Sequence, residues 1–226
     1  MKKIYLIRHA QSAANAGGSS DRVIYPNSDI PLTKLGKQQA EQLANWLTEH
    51  APNTDEIFTS PYLRTQQTAT LYLQKTQKTA TVLNDLREFN YLSFAKIQGK
   101  TFQELKSESE QYWASEDVNF KHSEDCDSFA SFFNQVQTIR QYFAAKEDGV
   151  YVVFGHGFWI GVLLWQLLAR DSGSLKMQKF REFEVLVRPN NTDVYLWQIS
   201  DEAESIAKVR STECSQNIDK TAFQAA

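Results

Sequence analysis

Short apolar runs alternate with longer stretches of helical periodicity along most of the chain. Between most of these runs, apolar residues recur at intervals of three and four, the spacing of a helix that packs one face against a core. Strands that alternate with helices predict an α/β fold around a mostly parallel sheet. The runs typical of strands cover residues 3–7, 56–59, 81–83, 150–154, 183–187 and 193–198.

The same pattern predicts how the sheet is covered and how it ends. We expect a three-layer α/β/α sandwich, with helices on both faces of the sheet. The last two runs are joined by RPNNTD, which is typical of a turn, and predict a hairpin that adds an antiparallel edge strand.

Local signals predict where three helices begin. Ser60 stands before Pro61, an order typical of an N-cap followed by the first helical residue. Thr101 is followed three residues later by Glu104, the pattern of a capping box. Asp127 precedes a strongly periodic apolar face and is predicted to cap that helix.

No linker or internal repeat interrupts the chain, which predicts a single domain over residues 1–226. Residues 88–127 are polar, mix charges with aromatic residues and lack a strand pattern. We predict that this segment forms a small lid of helices and loop. Residues 201–226 are polar and are predicted to form a peripheral tail.

Composition excludes several classes of protein. The net charge of −3 argues against a general nucleic-acid binder. No run is apolar and long enough to cross a bilayer, and the first run is too short for a signal peptide. Two cysteines, Cys126 and Cys214, do not make a disulfide framework. The sequence therefore predicts a cytoplasmic protein that binds neither nucleic acid nor membrane.

Three strands end in residues that can bind an anion. Arg8 and His9 follow the first run, Arg64 follows the second, and His156 stands between two glycines after the fourth. In an open α/β sheet, ligands bind outside the carboxyl ends of the strands. Two arginines and two histidines brought together there would form an anion site, with donors from nearby helix N-termini.

Each of these residues also has an ordinary structural interpretation, and other motifs compete. An arginine after a strand is most often a surface ion pair. GHGFWIG is similar to a dinucleotide-binding loop, but the acidic residue that such a site needs is missing. The same stretch lacks the serine of a nucleophile elbow. His122 and Cys126 have a loose metal-binding spacing, but four ligands cannot be found.

Five blocks of sequence carry a shared pattern: RHAQ with Asn15, SDIPLTKLGKQQA, TSPYLRTQQTA with Arg64, LREFNYLSFAKIQGKTFQEL with Glu88, and VVFGHGFWIGVLL with His156. Taken together and in this order, these blocks resemble the histidine phosphatase superfamily, the phosphoglycerate-mutase-like proteins. Two blocks depart from the family pattern: Ala10 and Gln11 replace the usual Gly and Glu, and the residues after the acid read NYLSFAKIQG.

The resemblance implies a phosphoryl transfer in which His9 is the nucleophile. A neutral imidazole can attack phosphorus at pH 7, since its ordinary pKa is about 6.5. Arg8, Arg64 and His156 would hold the phosphoryl oxygens, and Asn15 would add an amide donor. Glu88 would protonate the leaving group and then deprotonate water. The cationic side chains do what Mg²⁺ does elsewhere, so we expect no metal and no other cofactor.

The sequence favours a phosphatase over a mutase. In mutases of the family an arginine follows the acid, whereas here Phe89 follows Glu88, and no arginine pair stands between 88 and 127. Arg22 and Lys96 are candidates for the substrate side of the site. The expected substrate is a small phosphomonoester. A mutase-type phosphotransferase, a non-catalytic binder of a phospho-ligand or protein, and a phosphoprotein substrate remain open, and the sequence indicates no oligomeric state.

Overall fold

The computed structural model describes residues 1–168 and 175–212, and in these residues a six-stranded mixed sheet forms the centre of the fold. The spatial order is β3-β2-β4-β1-β5-β6. Strands β1, β2, β3 and β4 run parallel to one another. Strand β5 pairs antiparallel with β1, and β6 pairs antiparallel with β5 at the edge of the sheet. The strands are β1 (Lys2–Arg8), β2 (Glu56–Thr59), β3 (Ala80–Val82), β4 (Gly149–Gly155), β5 (Val194–Ile199) and β6 (Glu204–Arg210).

Helices cover both faces of the sheet, because successive strand residues point to opposite sides. In β4, Val153 joins the core formed with α6, α7 and α8, whereas Val152 joins the core formed with α2 and α3. The predicted α/β/α sandwich is confirmed. The helices are α1 (Ala13–Ala16), α2 (Lys34–His50), α3 (Leu63–Thr76), α4 (Phe94–Ile97), α5 (Phe102–Ala114), α6 (Phe129–Ala144), α7 (Gly157–Leu168) and α8 (Met177–Val187).

The larger core is rich in aromatic rings and lies directly behind the candidate acid Glu88. Phe89 is fully buried and stacks on Phe132 of α6 with 4.6 Å between ring centroids. The ring of Phe158, at the start of α7, lies 6.2 Å from that of Phe89. Burial of large aromatic side chains contributes much of a core's stability. The segment around Glu88 is therefore anchored on a rigid apolar base.

The predicted hairpin between residues 183–187 and 193–198 is wrong. Residues 183–187 are the last turn and a half of α8, whose buried residues Met177, Phe180 and Glu184 follow helical spacing. Val185 and Leu186 are exposed, so the β-branched character of this stretch reflects surface positions and not a buried strand. The hairpin instead joins β5 to β6, and β6 lies in the segment predicted as a peripheral tail.

Two of the predicted helix starts move by one or more residues. Thr101 and Glu104 form the predicted capping box of α5. Asp127 does not cap α6; it accepts a two-pronged ion pair from Arg87, and Ser128 is the cap. Ser60 does not cap α3, which begins at Leu63 after Tyr62.

Loss of the Ser128 cap should destabilise the protein moderately. The Ser128 hydroxyl accepts the Ser131 N–H at 3.1 Å, and alanine would leave that donor without a partner. We expect Ser128→Ala to cost about 1 kcal/mol, which lowers the melting temperature by roughly 2–4 °C for a chain of this size. Thermal unfolding measures this change in melting temperature. The control is Ser107→Ala, which changes an exposed position of α5. Equal melting temperatures would contradict the cap.

Residues 88–127, the predicted lid, contain α4 and α5 joined by loops. The Arg87–Asp127 ion pair joins the two ends of the segment, and within it Lys96 Nζ donates to the His122 carbonyl. Of the predicted tail, residues 213–226, which include Cys214, lie outside the described residues. Within residues 1–168 and 175–212, no helix has the length and apolar character needed to cross a bilayer.

Candidate active site

The register of the parallel strands brings His9 and His156 together. Arg8 pairs with Gly155 across β1 and β4, so the next residue of each strand stands at the same edge. The His9 N–H donates to the Gly155 carbonyl at 3.0 Å, and the two imidazole centroids lie 5.3 Å apart. Both histidines are buried, at 3% and 0% exposure. The sheet itself therefore fixes their separation.

The contacts of His9 define its tautomer. Nδ1 lies 2.7 Å from the Ala10 carbonyl oxygen, which can only accept, so Nδ1 carries the proton. Arg64 Nε, which can only donate, points at Nε2 from 3.1 Å. Both contacts require the same neutral imidazole, with the lone pair on Nε2. This nitrogen is the one that can attack an electrophile.

Arg64 is held in place by the loop before α2. It lies in the first turn of α3, at 1% exposure. Its Nη2 donates to the Asn27 side-chain oxygen at 3.0 Å, and Nη1 donates to the Asn27 carbonyl at 2.5 Å. Asn27 therefore fixes the plane of the guanidinium beside His9.

Arg8 and His156 complete the group of donors. Arg8 Nη1 donates to the Pro189 carbonyl, which anchors the guanidinium at 4% exposure. His156 Nε2 lies 2.8 Å from Ser60 Oγ. In the described part of the chain His156 Nδ1 has no hydrogen-bond partner, although it is fully buried. A buried ring nitrogen of this kind is suited to bind a polar ligand atom.

Glu88 lies at the N-terminus of α7. Its two carboxylate oxygens accept the N–H groups of Phe158 and Trp159 at 3.1 and 3.2 Å. Arg87, the residue before Glu88, pairs with Asp127 and not with Glu88. Glu88 is 2% exposed, and the charges of Arg64 and Arg8 act on its carboxylate.

Burial sets the protonation of the site. It lowers the pKa of His9 well below its usual value, and the charges of Arg64 and Arg8 lower it further. The pKa of His156 is lowered for the same reasons, burial first. Burial raises the pKa of Glu88, although Arg64 and the backbone donors oppose the shift. The pKa values of Arg8 and Arg64 fall to about 10, so both stay charged at neutral pH.

The other sequence candidates lie at different distances from this group. Asn15 closes the capping box of α1, and its side-chain oxygen accepts from Asn191, whose amide also donates to the His9 carbonyl. Arg22 lines a neighbouring cavity and donates to the Gly99 carbonyl. Lys96 is outside that lining and donates to the His122 carbonyl.

Sequence reasoning missed the residues that position the site. Ser60 was interpreted as a helix cap, although it orients His156. Asn27 and Asn191 were not singled out, since single asparagines in loops carry no motif. Asn27 follows Pro26, and Asn191 lies in the loop before β5, and neither position indicates a role in the site.

A cavity of about 350 Å³ opens beside these residues. Asn27, which holds Arg64, and Phe89, which follows Glu88, both form part of its wall. This volume is within the range of small-molecule sites, roughly 300–1,000 Å³. The buried cations, the neutral histidine and the carboxyl group thus adjoin a space in which the remainder of a ligand fits.

Solved structures with this fold include a phosphoserine phosphatase from Entamoeba histolytica in complex with 3-phosphoglyceric acid. It has a TM-score of 0.69 and 23% identity, and the match covers 94% of this chain and 98% of that chain. The alpha-ribazole phosphatase from Shigella flexneri has a TM-score of 0.69 and 18% identity, over 91% and 95% of the two chains.

Sequence relatives match shorter segments. A 2-carboxy-D-arabinitol-1-phosphatase from Triticum aestivum is 37% identical over 103 residues, 44% of this chain and 20% of the relative. The chain spans about half the length, or less, of the curated relatives it matches first. The model of the histidine phosphatase superfamily (branch 1) matches residues 4–212, nearly the whole described chain. The strand ends that carry Arg8, His9 and His156 thus have a family context, and the chain belongs to the histidine phosphatase superfamily, branch 1.

Proposed function

We propose that the protein is a metal-independent phosphatase that hydrolyses a phosphomonoester through a phosphohistidine on His9. The observation that carries the proposal is the tautomer of His9, with Nδ1 bound to a carbonyl and the Nε2 lone pair facing Arg64. A buried imidazole with a lowered pKa and a fixed orientation is a nucleophile ready at neutral pH.

In the first step His9 Nε2 attacks phosphorus and forms a P–N bond while the ester P–O bond breaks. Arg8, Arg64 and His156 Nδ1 stabilise the charge on the non-bridging oxygens. Glu88 gives its proton to the leaving alkoxide. Burial raises its pKa, which favours the protonated form that this role needs.

In the second step water attacks the phosphoryl group on His9 and the P–N bond breaks. The Glu88 carboxylate takes a proton from the water as it attacks. The products are inorganic phosphate and the neutral His9 imidazole. Arg8 and Arg64 hold the same oxygens in both steps, so no metal ion is needed to neutralise them.

A phosphatase fits the cavity better than a mutase does. A mutase must hold a second phosphate on the substrate side, and Arg22 is the one cation among the described residues that line the cavity. The partner we propose is a small phosphomonoester; the Entamoeba relative's structure contains 3-phosphoglyceric acid. A cytoplasmic location remains part of the proposal and rests on the scarcity of cysteine.

The test is hydrolysis of p-nitrophenyl phosphate in the presence of EDTA. We expect turnover that the chelator does not change, because side chains provide the positive charge. Loss of turnover in EDTA that returns with an added divalent cation would contradict the metal-independent proposal. No turnover under any condition would favour a non-catalytic binder of phosphorylated ligands.

Glu88→Ala should slow esters with poor leaving groups far more than esters with good ones. An alkoxide needs a proton in order to leave, whereas p-nitrophenolate does not. We expect a loss on the order of 10²–10⁴-fold for an alkyl phosphate and a much smaller loss for p-nitrophenyl phosphate. Steady-state kinetics with both substrates measures the difference. An equal loss with both would remove Glu88 from the role of acid.

The same pair of enzymes tests the pH dependence of the acid. Because only protonated Glu88 can donate, wild-type kcat/KM for the alkyl ester should fall as pH rises through the raised pKa of Glu88. The ratio of wild type to Glu88→Ala at each pH cancels the ionisation of the substrate itself. A ratio that does not change with pH would contradict the assignment.

A further inference from the structure

The cavity beside the phosphate-binding residues has a mostly apolar wall. Its described lining residues are aliphatic or aromatic with few exceptions, and Phe89, Tyr91, Leu92, Ile97, Phe102 and Leu105 form one continuous side. These six side chains belong to the larger core or pack against it. The apolar wall is therefore part of the rigid fold.

Three polar groups of the wall are bound to other groups of the protein. Asp21 accepts the Gly18 N–H at 2.7 Å, and Arg22 donates to the Gly99 carbonyl. The Asn27 side-chain oxygen accepts from Arg64. Asp21 and Arg22 are the only charged residues among those described as lining the cavity. A ligand carboxylate placed here would meet one cation, Arg22, and one repelling carboxylate, Asp21.

The position of the cavity identifies which part of a substrate would fill it. Asn27 holds Arg64, which binds the phosphoryl group in the proposed mechanism, and Phe89 directly follows the proposed acid Glu88. In the proposed mechanism Glu88 protonates the alcohol as it leaves, so the alcohol lies on the same side of the phosphoryl group as Glu88. The alcohol portion of the ester therefore extends into the apolar space.

We propose that this cavity selects phosphomonoesters whose leaving alcohol is uncharged and apolar, such as an alkyl or arylalkyl alcohol. The proposal rests on the proposed phosphatase function and specifies its substrate class. It separates this chain from relatives whose substrates carry a carboxylate. An apolar alcohol gains free energy from burial, whereas a carboxylate without a partner loses its hydration.

A series of n-alkyl monophosphates tests the proposal, because ethyl, butyl and hexyl alcohols have nearly the same acidity. The reactivity of the ester bond then stays constant along the series, and only the apolar area that the alcohol can bury changes. We expect kcat/KM to rise about three- to fourfold per methylene until the cavity is full. Phosphoserine and 3-phosphoglycerate should fall more than about tenfold below butyl phosphate.

A variant at the rim links this preference to the cavity. Ile24 lines the cavity and is 64% exposed, so lysine fits there without disturbing the core. Ile24→Lys should lower the preference for butyl phosphate over phosphoserine about tenfold or more, since it adds a free cation. Leu186→Lys makes the same change at an exposed position outside the cavity, at 85% exposure. We expect that control to leave the preference unchanged.

The outcomes separate this proposal from the proposed function. Failure to hydrolyse any ester, p-nitrophenyl phosphate included, would overturn the function itself. Hydrolysis without dependence on chain length, or with phosphoserine preferred, would overturn the substrate class and leave the function standing. A preference for butyl phosphate over phosphoserine that is equally strong in Ile24→Lys and in wild type would place the alcohol outside this cavity and overturn the assignment.

Discussion

His9→Ala should abolish turnover, with kcat reduced on the order of 10⁴-fold or more. The loss is large because His9 forms the P–N bond in the first step and is the group released from phosphorus in the second. His156 is 5.3 Å away between ring centroids, but its Nε2 is bound to Ser60. Steady-state hydrolysis of p-nitrophenyl phosphate measures the effect.

The control for this variant is His50→Ala. His50 is an exposed residue at the end of α2 that stacks on Trp46, far from the site in the fold. The His50→Ala substitution removes a histidine side chain that is not a proposed nucleophile, and we expect activity close to that of wild type. Turnover in His9→Ala within tenfold of the control would mean that another group attacks phosphorus.

Arg64→Ala should cost about 10²–10³-fold in kcat, the usual loss when one donor to a transition-state oxyanion is removed. Arg64 also lowers the pKa of His9, so its loss should raise that pKa. Because His9 attacks only when neutral, the acid limb of the pH profile should move to higher pH in the variant. A merely structural role for Arg64 would not move that limb.

Two further variants make the Arg64 result specific. Arg64→Lys should recover only part of the activity, since one ammonium cannot contact His9 and both Asn27 oxygens at once. Arg140→Ala removes an arginine from a partly exposed ion pair with Glu204 and should leave kcat unchanged. Full activity in Arg64→Ala would contradict the placement of the phosphoryl group beside His9.

The sheet and the position of the two histidines and two arginines at one edge could be predicted because local rules determine both. Parallel strands place their carboxyl ends at one edge, so residues that directly follow β1 and β4 must be neighbours there. The same rule places Arg64 at this edge, because Arg64 lies in the first turn of α3, shortly after β2, which runs parallel to β4. No knowledge of packing between distant segments is needed for this part of the structure.

The missed features depend on contacts between segments that are distant in sequence. Val185, Leu186 and Val187 are typical of a strand, yet they end α8 because Phe180 and Glu184 must face the core. Asn27 contacts Arg64, which lies thirty-seven positions later in the chain, and nothing near Asn27 in the sequence indicates this contact. The cavity wall likewise combines residues before α2 with residues of the 88–127 segment.

The most direct test of the central claim is to trap the phosphoenzyme. Wild type and His9→Ala are mixed with a phosphomonoester, quenched in base, which preserves phosphohistidine, and digested for mass spectrometry. We predict one phosphoryl group on the peptide that contains His9 in wild type, lost on acid treatment and missing from the variant. An enzyme that turns over without phosphorylating His9, or that carries the group on another residue, would contradict the account.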